Sequence, residues 1–225
     1  MNNPELAILI PAYNEGPYIS SVLDVVCSFN FEKRVVVIND GSTDDTSDRV
    51  EKYPVELVSH RKNRGKGAAL QTGIDYVGHS RLWLFLDADL INLKHRHFNE
   101  LLNPIIEGNN VDMTVGVFTA GRKNVDMAQR FFSILNGQRG LSGDFVAELP
   151  DLSWSRFGVE VFLSRVAGFK GANVDYPILK GLTHHTKESK LGFFLGFMYR
   201  LQMYRECIYA LYSWQSKVGH LPAPR

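Results

Sequence analysis

The chain has 225 residues, with 25 Lys plus Arg against 24 Asp plus Glu and a formal net charge of +1. That length supports one large domain, or at most two small ones, with a core that needs no disulfide or metal staple, and the near-neutral balance excludes a dedicated nucleic-acid binder held by phosphate neutralisation. A composition of 44% hydrophobic and 22% charged residues excludes a disordered chain.

At the N-terminus no basic region precedes the apolar run Leu6 to Ala12, which is too short for a signal-peptide core. Cys27 and Cys207 are too far apart to form a framework or a metal-ligand spacing, so the expectation is a cytosolic protein. Short β-branched runs then alternate with helical patterns. Ala7 to Ile10 predicts a strand and about Pro17 to Phe29 a helix; Val35 to Ile38 is followed by Thr43 to Tyr53, Val55 to Ser59 by Lys66 to Val77, and Leu82 to Leu86 is a fourth strand. This is the alternation of a mainly parallel α/β sheet covered on both faces. Ligands of such sheets bind at the carboxyl ends of the strands.

Beyond Leu90 the pattern is less regular. A strand is expected over Met113 to Phe118, helices near Val125 to Leu135 and Gly158 to Ala167, a strand near Ala172 to Tyr176, and a C-terminal helix over Leu191 to Trp214. That last stretch sets Phe194, Leu195, Met198, Leu201, Ile208 and Tyr212 at helical spacing, a stripe suited to packing on its own domain, on a second copy as a homodimer, or peripherally on a membrane surface. Arg200, Gln202, Arg205 and Glu206 interrupt it too often for one of the roughly 20-residue apolar runs that span a bilayer.

The polar clusters directly follow strands and should converge on one rim. Asp87-Ala88-Asp89 ends the run Leu82 to Leu86 and presents two carboxylates from one turn, a spacing that suits Mg²⁺ or Mn²⁺ bound through carboxylates and substrate phosphates. Two acids at a strand end also serve as turn formers or caps. Asp40-Gly41-Ser42-Thr43-Asp44 reads as a strand end, a glycine turn and a helix capped by Ser42 or Thr43, with Asp40 left over to accept the N–H of a nucleobase edge. Glu15 and Tyr13 are the corresponding groups of the first loop, where Glu15 is also suited to the start of a helix. Arg61-Lys62-Asn63-Arg64-Gly65-Lys66-Gly67 places four cations within six residues, with glycines on either side of the last. It lacks the pattern of an ATPase P-loop and reads either as a solvated charge run or as a phosphate contact at a helix N-terminus.

Pro11-Ala12-Tyr13-Asn14-Glu15, Asn39-Asp40-Gly41-Ser42-Thr43-Asp44, Asn63-Arg64-Gly65-Lys66-Gly67-Ala68-Ala69 and Asp87-Ala88-Asp89, in this order and at these intervals, resemble the nucleotide-sugar half of family 2 glycosyltransferases, which have the GT-A fold. The resemblance implies an α/β domain over residues 1–218, with a nucleotide-sugar half over 1–90, an acceptor half over 91–185, a C-terminal helix over 186–218 and a tail over 219–225. It implies that Pro11, Ala12, Tyr13, Glu15, Asp40, Gly41 and Lys66 surround the base and ribose of a nucleoside diphosphate sugar, a UDP-sugar foremost, with Asp87 and Ala88 near the ribose or sugar and Asp89 on Mg²⁺ or Mn²⁺. A cation bridging the diphosphate would stabilise the charge left by the departing sugar.

The second half is similar, more loosely, to the subgroup of polyprenyl-phosphate sugar synthases and glucosyl-3-phosphoglycerate synthase. Asn136-Gly137-Gln138-Arg139-Gly140-Leu141 resembles the Ser-Gly-Gln-Arg-Ala-Leu turn of that subgroup, with Asn for Ser and Gly for Ala, and Arg156-Phe157-Gly158-Val159-Glu160 its acceptor-side helix start. Arg139 and Arg156 are candidates for gripping an anionic acceptor or the donor phosphates. Glu160 orients the acceptor or acts as base, with Asp151 as the alternative base for a hydroxyl acceptor, and Glu160 is equally suited to a plain first-turn acid. A lipid phosphate acceptor needs no strong base, because its oxygen is already anionic. The resemblance sets a metal-binding histidine at His184; His185, on the opposite face of a strand, cannot share that site. His95 and His97 are expected at the surface. The rival readings are a nucleotidyltransferase of similar fold, disfavoured because its glycine-rich loop would follow the first strand, and a non-catalytic protein that binds nucleotide sugars or a membrane partner.

Overall fold

The computed structural model describes residues 5–108, 110–119 and 136–184. The expected helices over Val125 to Leu135 and Leu191 to Trp214 lie outside them.

In chain order the elements are β1 (Leu6–Ala12), α1 (Gly16–Ser28), β2 (Lys33–Asn39), α2 (Thr46–Val50), β3 (Glu56–Ser59), α3 (Lys66–Val77), β4 (Leu82–Phe85), β5 (Leu90–Ile91), α4 (His95–Ile106), β6 (Met113–Val115) and β7 (Val117–Thr119). They are followed by β8 (Arg139–Ser142), α5 (Gly143–Ala147), a 3₁₀ turn (Arg156–Gly158), α6 (Val159–Lys170), β9 (Val174–Asp175), β10 (Ile178–Lys180) and β11 (Thr183–His184). Seven strands form one sheet in the order β3-β2-β1-β4-β8-β6-β9. The first four are mutually parallel, and β8 enters antiparallel to both β4 and β6.

Strand β1 is apolar throughout because both of its faces are covered. Alternate side chains point to opposite faces: Leu6, Ile8 and Ile10 join the core under α1 and α4, while Ala7 and Leu9 join the core under α3 and α6. Helix α1 starts with Pro17 in its first turn, where the missing N–H is no loss.

Three expectations are corrected, and a fourth element is found where expected. The strand expected over Met113 to Phe118 is two strands in different sheets, parted at Gly116, where an added Cβ would run into the Leu179 side chain. The helix expected from Thr43 begins only at Thr46, because Ser42 and Thr43 bond the first loop rather than capping it. The helix expected near Gly158 to Ala167 is present as Val159 to Lys170, entered through the 3₁₀ turn. His97, expected at the surface, is 0% exposed: its Nδ1 accepts the Lys94 N–H at 3.1 Å and its Nε2 meets the Lys180 carbonyl at 3.1 Å, so it joins the start of α4 to β10.

Burial holds the His97 imidazole below its usual pKa, although the Lys180 carbonyl and Glu100 oppose the shift. A depressed folded-state value means that the unfolded chain takes the proton first, so the contribution of neutral His97 is full above about pH 6.5 and is lost as pH falls through that value toward the folded-state one. Denaturant melts should therefore show a shallower loss of stability on acidification from pH 7 to 5 in His97→Gln than in the parent chain; parallel curves would exclude the role.

Candidate functional site

The parallel pairing of β1, β2 and β4 brings their C-terminal turns to one rim. The first two turns are interlocked: Asp40 N–H donates to the Ala12 carbonyl at 2.8 Å, Asn14 N–H to Ser42 Oγ at 3.0 Å, Thr43 N–H to Asn14 Oδ1 at 2.8 Å, and Glu15 N–H to Thr46 Oγ1 at 2.9 Å. Glu15 and Ala12 are buried here, and Pro11 and Tyr13 are half-buried. Asn14 carries a φ of 54°, in the left-handed region that its short polar side chain tolerates.

Asp40 is 3% exposed and is the hub of the next loop. Its Oδ1 lies 2.7 Å from His60 Nδ1 and accepts the Arg64 N–H at 2.9 Å, and its Oδ2 accepts the Gly65 N–H at 2.7 Å. His60 Nε2 in turn meets Thr72 Oγ1 at 2.9 Å. The carboxylate thus folds the basic loop over Gly41, where a Cβ would come within 2.6 Å of the Lys62 carbonyl carbon. This loop-holding role was not visible in the sequence. The loop exposes Arg61, Lys62 and Arg64 and turns into α3 at Gly65, whose φ of 95° requires glycine.

Lys66, the first residue of α3, points to the charged centre of the site. Its Nζ donates to Asp87 Oδ1 and, at 2.6 Å, to Glu160 Oε1. Burial by itself would push this ammonium down, but the charges of Asp87 and Glu160 outweigh it and hold the Lys66 pKa well above the ordinary lysine value. Gln138 Nε2 donates to the other oxygen, Asp87 Oδ2, at 2.8 Å. The backbone of Gly137 closes over this group: a Cβ there would lie 2.6 Å from Asp87 Oδ1. Gln138 drew no notice in the sequence, and its position within the Asn136 to Leu141 segment was the one available signal.

Past Asp87, Ala88 is buried and Asp89 half-buried. Strand β11 pairs antiparallel with β5, setting His184 opposite Leu90, one residue from Asp89. A carboxylate and an imidazole are hard-cation and borderline ligands. No cluster of three such groups occurs among the described residues, so a cation held by Asp89 and His184 would complete its shell with water or ligand oxygens.

Arg139 is corrected. It is 1% exposed and donates to the Asn136 carbonyl at 3.2 Å, to the Glu160 carbonyl at 2.8 Å and to Ser164 Oγ at 3.0 Å, so its fork is engaged inside the protein and does not reach out for a phosphate. Burial brings its pKa down to about 10, against the pull of Glu160. Its effect is to hold the first turn of α6, and with it Glu160. Asp151 is exposed and accepts from Ser153 N–H at 2.8 Å and Ser153 Oγ at 2.7 Å as a turn former. Arg156 is half-buried with a φ of 48° and lies against Gly65, where a Cβ would come within 2.9 Å of Arg156 Cα. That contact sets it beside the basic loop, with an uncommon backbone conformation of the kind found at functional sites.

The model of the family described as "Glycosyl transferase family 2" matches residues 7–185. A dolichyl-phosphate beta-glucosyltransferase of Trichomonas vaginalis is 37% identical over 97 residues, covering 36% of this chain and 28% of that protein. A dodecaprenyl-phosphate galacturonate synthase of Rhizobium johnstonii is 33% identical over 98 residues, covering 39% of this chain and 29% of that protein. The chain thus spans under a third of the length of these relatives. Glucosyl-3-phosphoglycerate synthase from Mycobacterium tuberculosis, solved in complex with Mn²⁺, UDP and glucosyl-3-phosphoglycerate, superposes with a TM-score of 0.74 at 23% identity, covering 96% of this chain and 80% of that one. This likeness shows the fold, a GT-A sheet flanked by helices.

The Asp40 hub is open to direct test. Asp40→Ala leaves the buried Gly65 amide, the part-buried Arg64 amide and His60 without their acceptor, and is expected to lower stability by about 2–4 kcal/mol in urea denaturation. A change below about 0.5 kcal/mol, the range of ordinary surface substitutions, would mean that the loop does not depend on it.

Proposed function

The chain belongs to glycosyl transferase family 2, and from that footing we propose that it transfers a sugar from a UDP-sugar, with a divalent cation at the diphosphate, to a phosphate-bearing acceptor received by residues 91–185. The observation that carries the reading is the Lys66 ammonium, held between Asp87 and Glu160 at the rim where the strand ends meet. It joins a carboxylate of the expected donor half to one of the expected acceptor half. Relatives named for dolichyl phosphate and dodecaprenyl phosphate, and a structural neighbour solved with UDP and glucosyl-3-phosphoglycerate, support a phosphate-bearing acceptor, lipid or small metabolite.

In this reading Asp40 and Gly65 shape the loop that receives the nucleoside, with Pro11, Ala12, Tyr13, Glu15 and Gly41 forming the rest of its walls. Asp87 and Ala88 meet the ribose or sugar. Asp89 and His184 hold Mg²⁺ or Mn²⁺, which when bound neutralises charge on the departing diphosphate. Lys66 keeps its proton at any working pH and adds a fixed positive charge on the same side, preorganised by its two carboxylates. Arg156 is the remaining arginine suited to a phosphate. Glu160 orients the acceptor; with an anionic phosphate oxygen as nucleophile it has no proton to remove, and with a hydroxyl acceptor it is the base.

Residues 1–218 are read as one domain. Among the described residues no helix is long and apolar enough to cross a membrane; Leu191 to Trp214, outside them, is the proposed contact with a membrane surface or a second copy.

Calorimetric titration with UDP, GDP, dTDP and CDP in Mn²⁺, Mg²⁺ or EDTA should give metal-dependent binding of UDP, with the metal-dependent part lost in Asp89→Ala. Absence of binding to every nucleotide by the folded protein would overturn the reading. Lys66→Met should lower the rate of sugar release from the donor by about a hundredfold, the scale of losing one preorganised charge-stabilising donor; an unchanged rate in a Mn²⁺-supplemented assay would remove Lys66 from the chemistry.

A further inference from the structure

Strand β8 runs antiparallel to β4 with Arg139 opposite Phe85, so the next residues outward, Gln138 and Gly137, come level with Leu86 and Asp87. The Gln138 carbonyl accepts the Gly116 N–H at 2.9 Å, which fixes the backbone, and the residue is 0% exposed. A carboxylate only accepts hydrogen bonds, so the amide nitrogen must be the end that faces Asp87 Oδ2, as it does at 2.8 Å. The consequence falls on the other end. Gln138 Oε1 is buried with no donor among the described residues, an arrangement that destabilises a fold, whereas an apolar side chain of the same reach would leave no orphan.

Asp87 is less enclosed than Gln138, with 28% of its side chain exposed, so the carboxylate keeps contact with solvent when Gln138 is replaced. The hydrogen bond therefore contributes little stability that water would not restore, while the orphaned carbonyl detracts from it. What water cannot supply is direction. Lys66 on Oδ1 and Gln138 on Oδ2 constrain the carboxylate plane from residues anchored in different elements, α3 and the start of β8.

We propose that Gln138 is a positioning residue for Asp87, retained at a net loss of fold stability because it fixes the orientation of that carboxylate at the ligand-binding rim. Its effect on a ligand rests on the nucleotide-sugar reading above; its effect on stability does not.

The test is a double-mutant cycle of Gln138→Met and Asp87→Ala, with Gln138→Leu in parallel. In ligand-free protein Gln138→Met should raise the melting temperature by about 2–4 °C, the size of a 1 kcal/mol gain in a chain of this length. It should raise it further in the Asp87→Ala background, where the amide nitrogen has lost its carboxylate acceptor. If both apolar variants melt below the parent, or if the gain is the same in both backgrounds, the proposal is overturned. With UDP and Mn²⁺, Gln138→Met should bind about tenfold more weakly than the parent, and the double variant no more weakly than Asp87→Ala alone, since Gln138 acts through Asp87. Additive losses would show that Gln138 touches the ligand itself and would overturn the proposal. Failure of the parent to bind any nucleotide would sink the donor reading, while the melting cycle would still decide for or against the coupling of Gln138 to Asp87.

Discussion

An ammonium withdrawn from water is stable only where negative charge meets it, and this condition on Lys66 organises the site. Its two partners, Asp87 and Glu160, come from the end of a sheet strand and from the first turn of a helix 94 residues away from Lys66. The neighbouring features serve the same contact. Gly137 has no side chain because the ion pair occupies the space a Cβ would need. Arg139 is buried to hold the carbonyl of Glu160, and Gln138 takes the Asp87 oxygen that Lys66 leaves.

A second buried carboxylate does for the loops what the first pair does for the centre. Asp40 spends its oxygens on two backbone amides and an imidazole, so the run of cations from Arg61 to Arg64 is held as a defined turn and not as a solvated tail. The tight spaces at Gly41 and Gly65 follow from this, since backbone packs on backbone there. A site built this way holds its loop and its charges in fixed positions, the preorganisation that stabilising a developing charge requires.

Membership of glycosyl transferase family 2 agrees with the order of the motifs, and the GT-A architecture gives each motif its height on the rim. The relatives share only part of their length with this chain, and the phosphate-bearing acceptor proposed above rests on their names and on the ligands of the solved neighbour. Of the two arginines expected to grip a phosphate, Arg139 is withdrawn into the core and Arg156 lies half-buried against Gly65.

The sequence by itself determined the α/β class, the parallel order of the first strands and the presence of Asp40, Asp87 and Asp89 at strand ends, because period-two and helical patterns and turn residues act over a few positions. It determined the start and end of α3 for the same reason. Tertiary structure alone decided that Lys66 meets Glu160, that Gln138 meets Asp87, that Arg139 turns inward and that His97 is buried, and it broke the strand expected over Met113 to Phe118 at Gly116. Each of these depends on which strands lie side by side and in which register, and a register is fixed by packing between segments far apart in the chain, which no local pattern encodes.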